Sequence, residues 1–149
     1  MTRRHLIQAG GLVTLATLAP FLIAVNAQTS TPTGIKRHKI VIQVSDNDPV
    51  KWNLALNNAK NLQDDVGASN VDIEIVAYGP GIGMLKMESP TGSRVSDAMN
   101  ARIKVIACEN TMRGQKLTKE EMLPAISYVQ AGVTEIMKKQ SEGWAYLKP

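Results

Sequence analysis

Three apolar, β-branched runs begin at Ile40, Val71 and Ile103, so one pattern restarts after 31 residues and again after 32. That interval is the length of a strand, a loop and a helix. It calls for right-handed crossovers between parallel strands. The fold class that satisfies it is α/β, with three α/β/α layers around a mainly parallel sheet of about five strands.

In the first unit, Ile40 to Val44 is apolar except for Gln43 and reads as a strand buried on both faces. The cluster Ser45-Asp46-Asn47-Asp48-Pro49 then supplies a loop and a helix start, with Asp48 as N-cap and Pro49 as first helical residue. Trp52, Ala55, Ala59, Leu62 and Val66 follow at helical spacing as far as Gly67.

The second unit alternates Val71, Ile73 and Ile75 with Asp72 and Glu74, which predicts a half-exposed strand near a sheet edge. Its loop runs from Tyr78 to Gly83. A short apolar helical segment follows, and then a helix opened by Ser89 as N-cap and Pro90, with Val95, Ala98 and Met99 facing inward.

The third strand, Ile103 to Cys108, ends at Glu109-Asn110-Thr111. Beyond it a capping box joins Thr118 to Glu121 in a helix cut short by Pro124. A fourth strand is expected around Tyr128 to Ala131. A last helix is expected to turn Val133, Ile136 and Met137 one way, and a fifth strand to span Trp144 to Leu147.

Residues 1–27 have the parts of an export signal: Arg3 and Arg4, an apolar stretch without charge from Ala9 to Val25, and the small residues of Val25-Asn26-Ala27. The paired arginines suit either a twin-arginine or a general secretory signal, which places the mature protein in the periplasm. The apolar stretch, broken by Gly10, Gly11 and Pro20, is short for a membrane span of roughly 20 residues. No stable anchor is expected after cleavage. Residues 28–36 form a Thr/Ser/Pro leader, and the domain is expected over 37–149.

Without residues 1–27, the formal charge of +4 falls to +2, since 17 basic residues become 15 against 13 acidic ones. A nearly neutral domain without a Lys/Arg block speaks against nucleic-acid binding.

Cys108 is the only cysteine. It cannot form an intramolecular disulfide, so two readings stand: a small buried hydrophobe or a reactive thiol. Its place after the third strand puts it at the carboxyl edge of the sheet, where open α/β proteins bind ligands. Backbone N–H groups, with Arg113 or Lys116, would favour the thiolate there, whereas an inward Glu109 would oppose it. The direction stays open at this level.

The Gly79 to Gly83 loop lacks the spacing of a phosphate-binding fingerprint, and turn geometry is the commoner use of such glycines. His38 is the only histidine after residue 27, and no Ser/His/Asp triad or closed zinc site can be assembled. The seven methionines are scattered and suit packing or subunit contact. No metal and no cofactor is implied.

Taken together, Gln43-Val44-Ser45-Asp46, Tyr78-Gly79-Pro80-Gly81-Ile82, Ala107-Cys108-Glu109-Asn110-Thr111-Met112-Arg113-Gly114 and Glu142-Gly143-Trp144-Ala145-Tyr146 resemble the DsrE/DsrF-like family from about Lys39 to the C-terminus. The resemblance implies a DsrE/flavodoxin-like fold and a trimeric or hexameric homo-oligomer. It also implies, for Cys108, the role of a sulfur carrier that takes a sulfane sulfur from a donor protein and passes it to an acceptor. Asn110, Thr111 and Arg113 match the adjoining stretch, and their position suits support of the sulfur. Ser45, Asp46, Asn47, Gly79 and Gly81 would line the pocket loops.

Two functions are therefore expected to compete. One is an exported sulfur-handling protein bearing a persulfide on Cys108, at most a sulfurtransferase-like carrier. The other is a non-catalytic module of the same fold for small-ligand binding or assembly. A flavodoxin-like nucleotide binder ranks third, because the loops carry no phosphate fingerprint.

Overall fold

The structure is a computed structural model that describes residues 37–149. The expected signal and leader lie outside the described residues. Five strands form one sheet in the order β4-β3-β2-β1-β5, and every neighbouring pair is parallel. The strands are β1 (His38–Val44), β2 (Val71–Ala77), β3 (Lys104–Cys108), β4 (Ser127–Val129) and β5 (Ala145–Leu147).

Helix α1 (Pro49–Val66) starts as its sequence directs, with the Asp48 carboxylate accepting from the Val50 amide at 2.8 Å. A 3-10 turn (Gly79–Leu85) and helix α2 (Gly92–Asn100) join β2 to β3. Helix α3 (Glu109–Gly114) and a 3-10 turn (Lys119–Glu121) lead to β4, and α4 (Gly132–Ser141) leads to β5. The Thr118–Glu121 capping box forms as expected.

Stepping from β1 to β4 in one direction, the right-handed crossovers place α1 and α2 on the same face. The return from β4 to β5 carries α4 to the other face. The two faces are unequal. Ile42, Ile75, Val105, Trp52, Leu56 and Val95 belong to the large core under α1 and α2, whereas only Val41, Val76, Ile106 and Ile136 make up the buried core under α4. Each fully buried Ile or Leu contributes roughly 1.5–3 kcal/mol, so most of the hydrophobic stabilisation lies on the first face.

Three expectations change. β2 is the central strand and not an edge, because Glu74 is 1% exposed and its carboxylate is met by Lys104 at 3.3 Å and Lys139 at 3.8 Å. A charged residue in an alternating pattern was read as solvated, but here it is buried with partners. Helix α2 begins at Gly92, since Ser89 closes a turn with its hydroxyl 3.0 Å from that of Thr91.

On α4 only Ile136 of the expected apolar stripe is buried, while Val133 and Met137 are 62% and 57% exposed. The face turned to the sheet instead carries Gly132, Glu135 and Lys139. Gly132 accounts for the close approach, since a Cβ there would lie 3.1 Å from Tyr78 Cβ and 3.2 Å from Val76 Cγ1.

Candidate functional site

Cys108 ends β3, in register with Val129 of β4 and directly before α3. Its side chain is not on the open rim that the sequence suggested. It is 4% exposed, and its thiol faces the carbonyl oxygen of Gln130 at 3.9 Å. The alternation that puts Val41, Val76 and Ile106 under α4 puts Cys108 there too, where Gln130 and the start of α4 cover it.

Burial raises the thiol pKa, and hydrogen bonds outweigh it. Donors are the Thr111 hydroxyl and the backbone amides of Gly132 and Thr111, while the Asn110 amide is taken by the Gln130 carbonyl at 3.0 Å, and the net shift is below the ordinary cysteine value. The Thr111 hydroxyl is itself oriented, because its Oγ1 accepts from the Gly79 amide at 2.9 Å and its proton is left for the sulfur. Gln115 Nε2 donates to the Gly79 carbonyl at 3.2 Å and fixes the same loop from the other side.

The charges expected near the thiol have other partners. Glu109 is paired with Lys119 at 3.2 Å, so its carboxylate is not the opposing group that its position allowed. The Arg113 guanidinium donates to Asn110 Oδ1, and the Gln130 carboxamide packs against both groups. Arg113 thus holds the two residues that flank the thiol without touching it.

Of the expected pocket residues, Gly79 reaches the thiol through Thr111. Gly81 packs against the end of β1, where a Cβ would lie 2.3 Å from the Val44 carbonyl oxygen. Ser45 Oγ accepts from Gln43 Nε2 at 3.0 Å. Asp46 pairs with Lys51 at 3.2 Å, while its carbonyl accepts from Trp52 Nε1 at 2.7 Å. Asn47 is exposed beside Gly83. Residues 45–47 therefore shape the β1 end and do not reach the sulfur.

Sequence reasoning missed Gln130, Gly132 and Tyr78. The fourth strand was expected to continue to Ala131; it stops at Val129 and releases Gln130 and Ala131 as a fourth loop at the carboxyl edge. The helix-initial glycine that follows was the available signal. Tyr78 continues β2 beside Cys108, and burial holds its phenol pKa above the usual value. Across the same face Tyr146 donates to Gln43 Oε1 at 2.6 Å.

A family model described as DsrE/DsrF-like family matches residues 38–149. The chain belongs to the DsrE/DsrF-like family. MTH1491 of Methanobacterium thermoautotrophicum, a protein of unknown function, is 31% identical, with a TM-score of 0.72, covering 75% of this chain and 99% of that one. The ychN protein of E. coli shares the fold at 11% identity and TM-score 0.61, covering 76% of this chain and 99% of its own. BT1422 of Bacteroides thetaiotaomicron does so at 12% and 0.62, covering 74% and 94%. No curated protein matches. The fold and family expected from the sequence are the ones found.

In this DsrE-like chain a further cleft lies away from the thiol. It measures about 450 Å³ and lies between α1 and α2, lined by Ala68, Ala101 and Ile103, which precede β2 and β3 at the amino edge.

The donor set makes a prediction. Thr111→Val should raise the pH midpoint for alkylation of Cys108 by iodoacetamide and slow the reaction at neutral pH by roughly three- to tenfold, the worth of one ordinary hydrogen bond of about 1 kcal/mol. The sign follows from the lowered thiol pKa: removing a donor leaves less thiolate at neutral pH, and the difference vanishes at high pH. Thr111→Ser should restore most of the rate. An unchanged midpoint in Thr111→Val would show that the hydroxyl does not act on the sulfur.

Proposed function

We propose that this protein is an exported sulfur-handling protein that carries sulfane sulfur as a persulfide on Cys108. The observation that carries the reading is the convergence of the Thr111 hydroxyl and the backbone amides of Thr111 and Gly132 on a lone thiol whose pKa they lower despite burial. Membership of the DsrE/DsrF-like family adds sulfur-relay chemistry as the family-level expectation.

The thiolate attacks the sulfane sulfur of a polysulfide or thiosulfate. A Cys108 S–S bond forms as the donor's own bond to that sulfur breaks, and a shortened polysulfide or sulfite leaves with the electron pair. An acceptor thiolate then attacks the outer sulfur, and Cys108 departs as thiolate, again stabilised by the same donors. Neither step needs an outside oxidant or reductant. Because Gln130 and the α4 start cover the thiol, loading requires local opening of the 130–132 loop.

A homo-oligomer, trimeric or hexameric, is part of the proposal, and the exposed Val133 and Met137 on α4 suit subunit contact. The second reading, a non-catalytic ligand-binding or assembly module, is favoured by the burial of Cys108. The two are separated by mass spectrometry of the purified protein after polysulfide exposure. Carriage predicts added sulfur that dithiothreitol removes; a wild-type protein that never gains sulfur supports the module.

A further inference from the structure

The mechanism makes no use of Glu74, a carboxylate 1% exposed in the middle of the sheet. Both nearby ammonium groups face one oxygen, with Lys104 at 3.3 Å and Lys139 at 3.8 Å from Oε2, and among the described residues Oε1 has no partner. Trp144 Nε1 is likewise buried without an acceptor. Both residues line a pocket of about 260 Å³ at the amino edge of the α4 face, together with Asp72, Arg102 and Lys104.

A buried polar atom without a partner is costly, and two of opposite type on residues that line one pocket call for a group that can serve both once the lining side chains move aside. Asp72 is already engaged by Arg37 at 2.8 Å, and among the described residues Arg102 forms no ion pair. Arg102 also holds a positive φ of 67°, a conformation disfavoured for a side chain of its size. The site thus offers an excess of cationic donors and one orphan acceptor. Its volume is several times the roughly 30 Å³ that one water occupies.

We propose that this pocket binds a small hydroxycarboxylate, whose hydroxyl donates to Glu74 Oε1 and whose carboxylate is held by Trp144 Nε1–H, Arg102 and Lys104. Lys139 is the gate. It sits 3.5 Å from Glu135 and 3.7 Å from Glu142, so it can leave Glu74 without losing carboxylate partners. Its ammonium and that of Lys39, 4.8 and 5.9 Å from the Trp144 ring centroid, hold the indole in place.

The test follows the Trp144 indole N–H resonance of the full domain, assigned by its loss in Trp144→Phe, during titration with glycolate and with acetate, which lacks the hydroxyl. Glycolate should give a saturable shift, with acetate at least about tenfold weaker because it leaves Oε1 unpartnered. Glu74→Gln should remove the preference. Arg102→Gln, at an exposed position that cannot disturb the core, should weaken both ligands alike. Cys108→Ser should bind glycolate as the wild type does, so this result is independent of sulfur carriage. Equal and non-saturating shifts with the two anions, or no shift because only water fills the pocket, would overturn the proposal.

Discussion

A Cys108→Ser protein exposed to polysulfide is expected to take up no sulfur, whereas the wild type gains sulfur that a thiol reductant removes. The substitution is nearly isosteric, and the donors from Thr111 and Gly132 remain in place. What is lost is the nucleophile, since a serine hydroxyl stays protonated where a stabilised thiol ionises. The cost to stability is small, because the new hydroxyl can donate to the Gln130 carbonyl that the thiol now faces. A thermal unfolding curve within a few degrees of wild type would confirm that folding is not the cause. Equal sulfur on the serine protein would place the carrier elsewhere and sink the role of Cys108.

Gly81→Ala is expected to be the most destabilising single methyl that can be added to this domain's loops. Its Cβ would lie 2.3 Å from the Val44 oxygen, 2.6 Å from the Val44 carbonyl carbon and 2.8 Å from the Ser45 nitrogen. All three are backbone atoms of β1 and its loop, so no side-chain rotation relieves the clash. The turn at Gly79–Leu85 must lift away, and with it Ile82, Met84 and Leu85, which are essentially without solvent exposure.

A loss of roughly 3 kcal/mol or more is expected, seen as a fall in melting temperature of about 10 °C or more. The same displacement moves the Gly79 amide that orients Thr111, so alkylation of Cys108 should slow as well. Gly114→Ala is the control: nothing lies within 4 Å of its Cβ position, and its effect should stay within about 1 kcal/mol. Similar melting temperatures for the two variants would show that the β1 contact is not tight in solution.

These two outcomes probe different kinds of information. The βα period, the Asp48 and Pro49 start of α1, the Thr118–Glu121 capping box and the position of Cys108 at the end of β3 were all legible in the sequence. Each depends on residues close together in the chain. Local propensity, capping and periodicity act over one turn or one strand, and nothing in this fold overrides them at those places.

The misjudged parts depend on neighbours distant in the chain. Asp72 and Glu74 alternate as they would in an edge strand, yet Lys104 on β3 and Lys139 on α4 compensate Glu74 in the central one. The same demand rotates α4, which turns Lys139 and Glu135 inward and leaves Val133 and Met137 exposed. Hydrophobic period alone could not foresee an ion cluster that outweighs it.

The candidate site divides in the same way. Sequence by itself determined that a lone cysteine ends a parallel strand, because strand length and spacing are local properties of the chain. Only the tertiary structure decided that Thr111 and the Gly132 amide converge on it, that Glu109 is held away by Lys119, and that Gln130 covers it. The charge state and access of a buried thiol depend on donors and acceptors a few ångströms away, and those come from the turn after β2, α3, the loop after β4 and the start of α4, which only the packing of the sheet brings together.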